Sequence, residues 1–372
     1  MKLAIRLVQV CCALSFSLGT SFAAEDASID RLLRKLPAPE KLIKPSVQKA
    51  LQQPDPAFKD PLATQATRAV QAQSLSQALN LSRKLTARYP RSAGAQCVRG
   101  SVAYDLKQFG EAAAAFRAAA NVEPRFAFAY FGIAAVEASE GHYASAIPHL
   151  KRVVQLQPDA AVAYYGLSDC TFHVGQKQES AAYARKAAAL APSNVYMWIQ
   201  LARAESSLGH TEATLNAIGK AVQVLPDSGP LLATLGFSYI NLNRVPQAIP
   251  PLQRAARLLP QDYLVQSQLG YCLLTTGQIN AAVGYLRKGA SLKSSYGPVW
   301  EHLGVAYQKQ GHDRDAVSAL ENATRLLPSS SLAWRHLAEA YQATGRSAEA
   351  QRAAARAQKL GSAAPRANKK KA

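Results

Sequence analysis

Prolines return every 34 residues along most of this chain: Pro90, Pro124, Pro158, Pro192, Pro226, Pro260 and Pro328 stand on one lattice. A single beat is missing, at Ser294. A fixed period between about 20 and 50 residues marks a stack of supersecondary units. The 372-residue chain is therefore expected to fold as an array and not as one globule. Stacked units present extended surfaces more often than enclosed chemical pockets.

Other positions keep the same beat. With the proline at position 32, eight units run from Ala93 to Ala364. Position 8 holds Gly100, Ala134, Ser168, Ala202, Gly236, Gly270, Gly304 and Ala338, and position 20 holds small residues from Ala112 to Ala350. Small residues at these spacings let neighbouring helices approach and interdigitate. Large anchors stand beside them: Tyr130, Tyr164, Trp198, Trp300 and Trp334 all fall on position 4, and position 7 is aliphatic from Ile133 to Leu337. Six glycines, Gly141, Gly175, Gly209, Gly277, Gly311 and Gly345, share position 15. There a left-handed backbone ends the first helix of each unit. The proline is expected to end the second helix, and polar residues after it (Asp159, Ser193, Asn194, Asp227, Ser228, Ser330) to cap the next. An alanine-rich bundle with chance prolines would not keep so many positions in phase.

With Tyr239, Tyr307 and Tyr341 at position 11 and Phe109 and Tyr143 at position 17, the pattern resembles the tetratricopeptide repeat family. The resemblance covers residues 93–364 and extends weakly over 59–92, where Ala78 and Pro90 fit. It implies an all-α fold, a right-handed superhelical solenoid of stacked antiparallel helix pairs. It also implies a shared scaffold without a shared substrate. In such repeats, positions 2, 5, 9, 12 and 13 of the first helix line a concave groove. Carried over by position, the candidate groove residues are Tyr104, Phe128, Phe131, Tyr165, Asp169, Phe172, Tyr196, Arg203, Phe237 and Tyr271, with Asp105 and His173 beside them. The last two units give Glu301, Gln308, Lys309, Arg335, Glu339 and Gln342 instead, so the face runs from aromatic to polar. Aromatic anchors suit a peptide or helix ligand. Two specialised relatives do not carry over. Position 5 has no Lys and positions 6 and 9 no Asn, as a chaperone-tail clamp requires, and position 6 shows no asparagine ladder like that of the sugar-transferase superhelix.

Residues 1–23 read as a secretory leader: Lys2 and Arg6, the apolar run Leu7 to Gly19, then Ser21-Phe22-Ala23 before Ala24. Cys11 and Cys12 would suit a lipoprotein, but Leu7, Val8, Gln9 and Val10 lack the small residue that such cleavage needs. An exported protein is expected, in a periplasm or secreted. Residues 24–58 form a proline-rich segment with Ile29, Leu32, Leu33 and Leu36 at helical spacing, read as short helices capping the array. Residues 365–372 are a basic tail. Cys97, Cys170 and Cys272 are an odd set, and Cys170 and Cys272 lie three units apart, so buried thiols are expected and not disulfides.

Once Lys2 and Arg6 are removed, 41 basic residues face 24 acidic ones, a net of +17. Much of the excess falls at positions 25 and 26 of the second helix, including Arg117, Lys151, Arg152, Arg185, Lys186, Lys220, Arg254, Arg287, Lys288 and Arg356. Cations near helix C-termini complement the helix dipole. The alternative is an anionic partner, a polymer or a membrane surface; export disfavours nucleic acid. No motif for nucleotide, zinc-protease or serine-hydrolase chemistry is found. The nearest approach to a metal site is His302 and His336, both at position 6, near Glu301 and Glu339. Two histidines fall short of the three or four ligands a metal needs. The reading is a non-catalytic scaffold without cofactor or metal.

Two departures carry structural expectations. Pro148 and Pro250 sit at position 22, with Pro251 following, and are expected to disturb the start of their helices. At Ser294 the boundary is expected to survive through Gly297-Pro298, with the helix stop moved a few residues later.

Overall fold

The structure, a computed structural model, describes residues 55–72 and 74–363. The expected leader (residues 1–23), most of the proline-rich segment and the basic tail lie outside them. The chain divides into two compact units, Met1–Pro226 and Asp227–Ala372.

The first unit opens with a 3-10 turn, Pro56–Lys59, and continues through ten α-helices. These are α1 (Pro61–Gln71), α2 (Leu75–Arg88), α3 (Ala93–Asp105), α4 (Phe109–Val122) and α5 (Ala127–Ser139). They are followed by α6 (Tyr143–Leu156), α7 (Ala161–His173), α8 (Lys177–Leu190), α9 (Val195–Ser207) and α10 (Thr211–Val224). The second unit holds α11 (Gly229–Asn241), α12 (Val245–Leu258), α13 (Tyr263–Thr275) and α14 (Ile279–Leu292). It ends with α15 (Gly297–Gln310), α16 (Asp313–Leu326), α17 (Ser331–Ala343) and α18 (Ser347–Ala363). Within each unit a second helix packs on its own partner and on the first helix of the next pair, as α6 does on α5 and α7, and α14 on α13 and α15. Among the described residues there is no strand, so each unit is an all-α stack of antiparallel helix pairs.

The glycine punctuation acts as the sequence implies. All six position-15 glycines have φ between 72° and 82°. In the remaining two repeats the same left-handed place is taken by Lys107 (φ 58°) and Asn243 (φ 56°). A β-carbon costs about 1–2 kcal/mol in this region, and asparagine tolerates it better than lysine. Lys107→Gly is therefore expected to stabilise the protein by about 1 kcal/mol, read as a raised urea midpoint. An unchanged or lowered midpoint would show that Lys107 is unstrained.

The second helices stop differently from the expectation. Every one from α4 to α16 ends two residues before position 32, with its C-cap at position 31 in an extended or near-extended backbone. A residue before proline is pushed out of the helical region, which accounts for six of these stops. Lys293, which precedes Ser294, takes the same form at φ −148° and ψ 86°. The boundary survives there, but the stop does not move. A hydrogen bond explains why. The Trp300 indole N–H donates to the Ser294 carbonyl at 2.8 Å, as Trp198 does to Pro192 (2.8 Å) and Trp334 to Pro328 (3.1 Å). The position-4 aromatic thus holds the preceding carbonyl away from the helix even where proline is missing.

The helix prolines also depart from expectation. Helices α6 and α12 begin at position 17 like the others and run through Pro148, Pro250 and Pro251 without interruption. Pro148 and Pro250 are exposed, and so are Ala144 and Pro246, whose carbonyls lose a donor. Water can serve those carbonyls, so the start needs no rearrangement.

Between pairs the packing is close. The Phe116 ring on α4 is fully buried and lies between Gly100 on α3 and Gly132 on α5. A β-carbon on Gly100 would come within 2.9 Å of that ring, and one on Gly132 would overlap it. In the second unit Gly236, Gly270 and Gly304 receive Leu252, Leu286 and Leu320 in the same way. The three described cysteines are free and buried. Burial pushes the Cys272 thiol up to about 12 and those of Cys97 and Cys170 well above the ordinary range, which makes them poor nucleophiles.

Candidate functional site

In the first unit, the inner positions of α3, α5, α7 and α9 hold the aromatic set. The fold itself uses most of it. Tyr104, Phe128, Phe131, Tyr165 and Tyr196 are each 5% exposed or less. The Tyr104 hydroxyl lies 2.6 Å from Ser139 Oγ, and its ring packs 5.6 Å from Phe109. Phe128 meets Phe116 edge-on at 6.3 Å. The reason is the short spacing of stacked first helices: a large side chain at position 2, 5 or 12 reaches the neighbouring pair before it reaches solvent. Phe172 is half-buried and remains partly open.

Around Phe172 the structure assembles a polar cluster. Arg203 of α9 pairs with Asp169 of α7, Nη1 to Oδ1 at 3.2 Å, and their side chains are 8% and 4% exposed. The guanidinium lies 4.0 Å over the Phe172 ring, a cation–π arrangement favoured by desolvation. Arg203 Nη2 sits 3.3 Å from His173 Nε2. The same histidine nitrogen lies 3.7 Å from Asp169 Oδ1. His173 stacks on Tyr143 at 4.1 Å and 10°. Gln200 Nε2 donates to Ser168 Oγ at 3.0 Å, and its carbonyl oxygen faces Arg203 Nη1 at 3.5 Å. Charge, ring and amide thus fix one guanidinium between two consecutive first helices.

In the second unit Phe237 and Tyr271 are half-buried, and Tyr271 packs against His302 at 4.8 Å. Burial holds His302 below the ordinary histidine range, against the pull of Glu301 and with the help of His336. His336 Nδ1 lies 3.4 Å from Glu301 Oε1. Among the described residues no group of three or more His, Cys, Asp or Glu is gathered for a metal. At the end of the stack Arg335, Glu339 and Gln342 are exposed along an open cleft of about 950 Å³, with Ala338, Ala350 and Ala354.

The basic second-helix residues are not equivalent. Arg185 donates through Nε to Glu205 Oε1 at 2.7 Å, and His210 Nδ1 lies 2.8 Å from Oε2. Glu205 is 2% exposed in its side chain against 56% for Arg185, so Arg185 serves the fold. The sequence held a signal for this: glutamate stands at position 11, where three later units have tyrosine. Arg152 leans over Tyr130 at 5.9 Å and Arg254 pairs with Asp227 at 3.3 Å. Lys186, Arg287 and Lys288 are exposed, with no ion pair among the described residues. Arg185→Ala is expected to cost about 1–3 kcal/mol by leaving a buried carboxylate short of a donor. Lys186→Ala should stay within about 0.5 kcal/mol. Urea midpoints of the pair check this, and equal effects would contradict a structural Arg185.

These helix pairs have a counterpart among known families. A family profile described as a tetratricopeptide repeat matches residues 64–128, 132–195 and 303–368. The chain belongs to the tetratricopeptide repeat family. Members of this family are in general non-catalytic scaffolds for protein–protein interaction. Among solved structures, similar chains include YrrB, titled a tetratricopeptide repeat protein with an unusual peptide-binding site. It is 21% identical with a TM-score of 0.45, and the match covers 50% of this chain and 95% of YrrB. A MamA structure is 20% identical over 45% of this chain and 92% of its own, at a TM-score of 0.42. MamA from Desulfovibrio magneticus RS-1 is 16% identical over 46% and 97%, at 0.43. The assignment rests on the family profile and the repeat pattern, not on these likenesses. No curated protein matches the chain.

Proposed function

We propose that this tetratricopeptide repeat protein is an exported, non-catalytic scaffold of the cell envelope that holds a peptide or helix of a partner on the inner face of its first helices. Phe172 carries the reading. Its ring is partly open, braced from behind by a buried guanidinium, and flanked by polar atoms already oriented by Asp169 and Gln200. A rigid aromatic with a fixed polar surround gives contact area at low entropic cost. Phe237 and Tyr271 offer the same kind of half-open ring in the second unit. The leader at residues 1–23 supports the assignment to the envelope. Phe172→Ala is expected to weaken binding of a captured partner by about 1–3 kcal/mol, the hot-spot range. The buried Phe128→Ala should act through stability and not through affinity. Titration calorimetry with both variants checks this; unchanged affinity in Phe172→Ala would remove the inner face from the proposal.

A further inference from the structure

The first unit carries a second feature that the inner-face reading does not use. Positions 25 and 26 of consecutive second helices place Lys84 on α2, Arg117 on α4, Lys151 on α6, Lys186 on α8 and Lys220 on α10. All five are exposed. None has an ion pair among the described residues, and Lys220 meets only the neutral Gln223, at 3.4 Å. Several other cations of the unit are neutralised: Arg83 and Arg99 share Glu111, Arg88 holds Asp60, Arg185 holds Glu205 and Arg203 holds Asp169. Lys59, Arg68, Arg91 and Lys107 have no ion pair among the described residues either, but none of them lies on a second helix. Acids are also absent from the relevant half of each helix. Helices α2 and α6 contain none, and the acids of α4, α8 and α10 (Glu111, Glu179 and Glu212) lie in the first turn.

The helix dipole explains one cation per helix. It does not explain why the C-terminal halves of five consecutive second helices each keep an exposed cation without an ion pair and carry no acid at all. We infer that this row is a binding ladder for a linear polymer carrying repeated phosphate or carboxylate groups. One such cation on each of five consecutive second helices, at position 25 or 26, matches a chain of charges laid along the stack. A lipid surface calls for a broader basic patch with apolar or aromatic anchors, and the row itself is made of cations alone. Multiple weak contacts of this kind release counterions and make binding strongly salt-dependent.

The test uses the full chain and an inorganic polyphosphate probe, with binding read by fluorescence anisotropy at two or more salt concentrations. The ladder variant is Lys151→Glu, Lys186→Glu and Lys220→Glu. A control with the same change of net charge is Lys59→Glu, Arg68→Glu and Arg91→Glu, exposed residues of this unit that stand off the row. The ladder variant is expected to lose affinity more than tenfold, with a salt slope shallower by about three, near one per contact removed. The control should lose less than about threefold by screened long-range attraction alone. Equal losses in the two variants would reduce the row to net charge and overturn the inference. So would ladder-dependent binding to phosphatidylglycerol vesicles without binding to polyphosphate. Far-ultraviolet circular dichroism of each variant confirms that the helices are retained.

Discussion

Replacing Asp169 by alanine is expected to cost the first unit about 3–5 kcal/mol, because it strands the Arg203 guanidinium in a site only 8% exposed. Phe172, Gln200 and His173 stay in contact, but none of them carries the opposite charge. An isosteric control separates charge from shape. Asp169→Asn keeps the volume and one acceptor and should recover only part of the loss. Removing both charges, as Asp169→Leu with Arg203→Leu, should come back to within about 1–2 kcal/mol of the parent, since buried ion pairs contribute little net stability over apolar packing. Urea unfolding of the three variants makes the comparison. A loss below about 1 kcal/mol for Asp169→Ala would mean that Arg203 escapes to solvent and that the cluster is not fixed.

The second large effect is expected at Phe116. Truncation to alanine empties the space between Gly100 and Gly132 and should cost about 3–5 kcal/mol. Gly132→Ala attacks the same contact from the other side. Helix propensity favours alanine by about 1 kcal/mol, yet the new β-carbon overlaps the ring, and overpacking of this kind costs about 1–3 kcal/mol. The two changes relieve one another, so the double variant should lose less than the sum of the singles. A strictly additive result would place the ring elsewhere.

What the sequence made legible follows from the repeat. Averaging over eight units exposes whatever each unit must do for itself, so the turn glycines, the close-approach glycines and the position-4 anchors could all be read. The stop of the second helix was assigned to proline, because proline is the visible residue there; the structure shows the constraint shared with an indole–carbonyl bond, which Trp300 supplies where Ser294 breaks the lattice. The inner face was harder. A position number says which way a side chain leaves its helix, not what it meets. Tyr104, Phe128, Phe131, Tyr165 and Tyr196 carry groove position numbers, yet each is buried in the stack. Departures from the repeat were the better guide to individual roles. Glu205 replaces a tyrosine and becomes the anchor of Arg185 and His210; Asp169 and Arg203, charged at inner position 9, find each other across one repeat.

Hydroxyl-radical footprinting of the protein with and without its captured partner tests the central claim most directly. Oxidation of exposed and half-exposed rings is read residue by residue, and the buried rings serve as an internal reference. The account predicts that the partner shields Phe172 in the first unit. Second-helix residues such as Tyr183 and Tyr285 should react as before. Shielding confined to the second helices, with Phe172 unchanged, would contradict an inner-face scaffold.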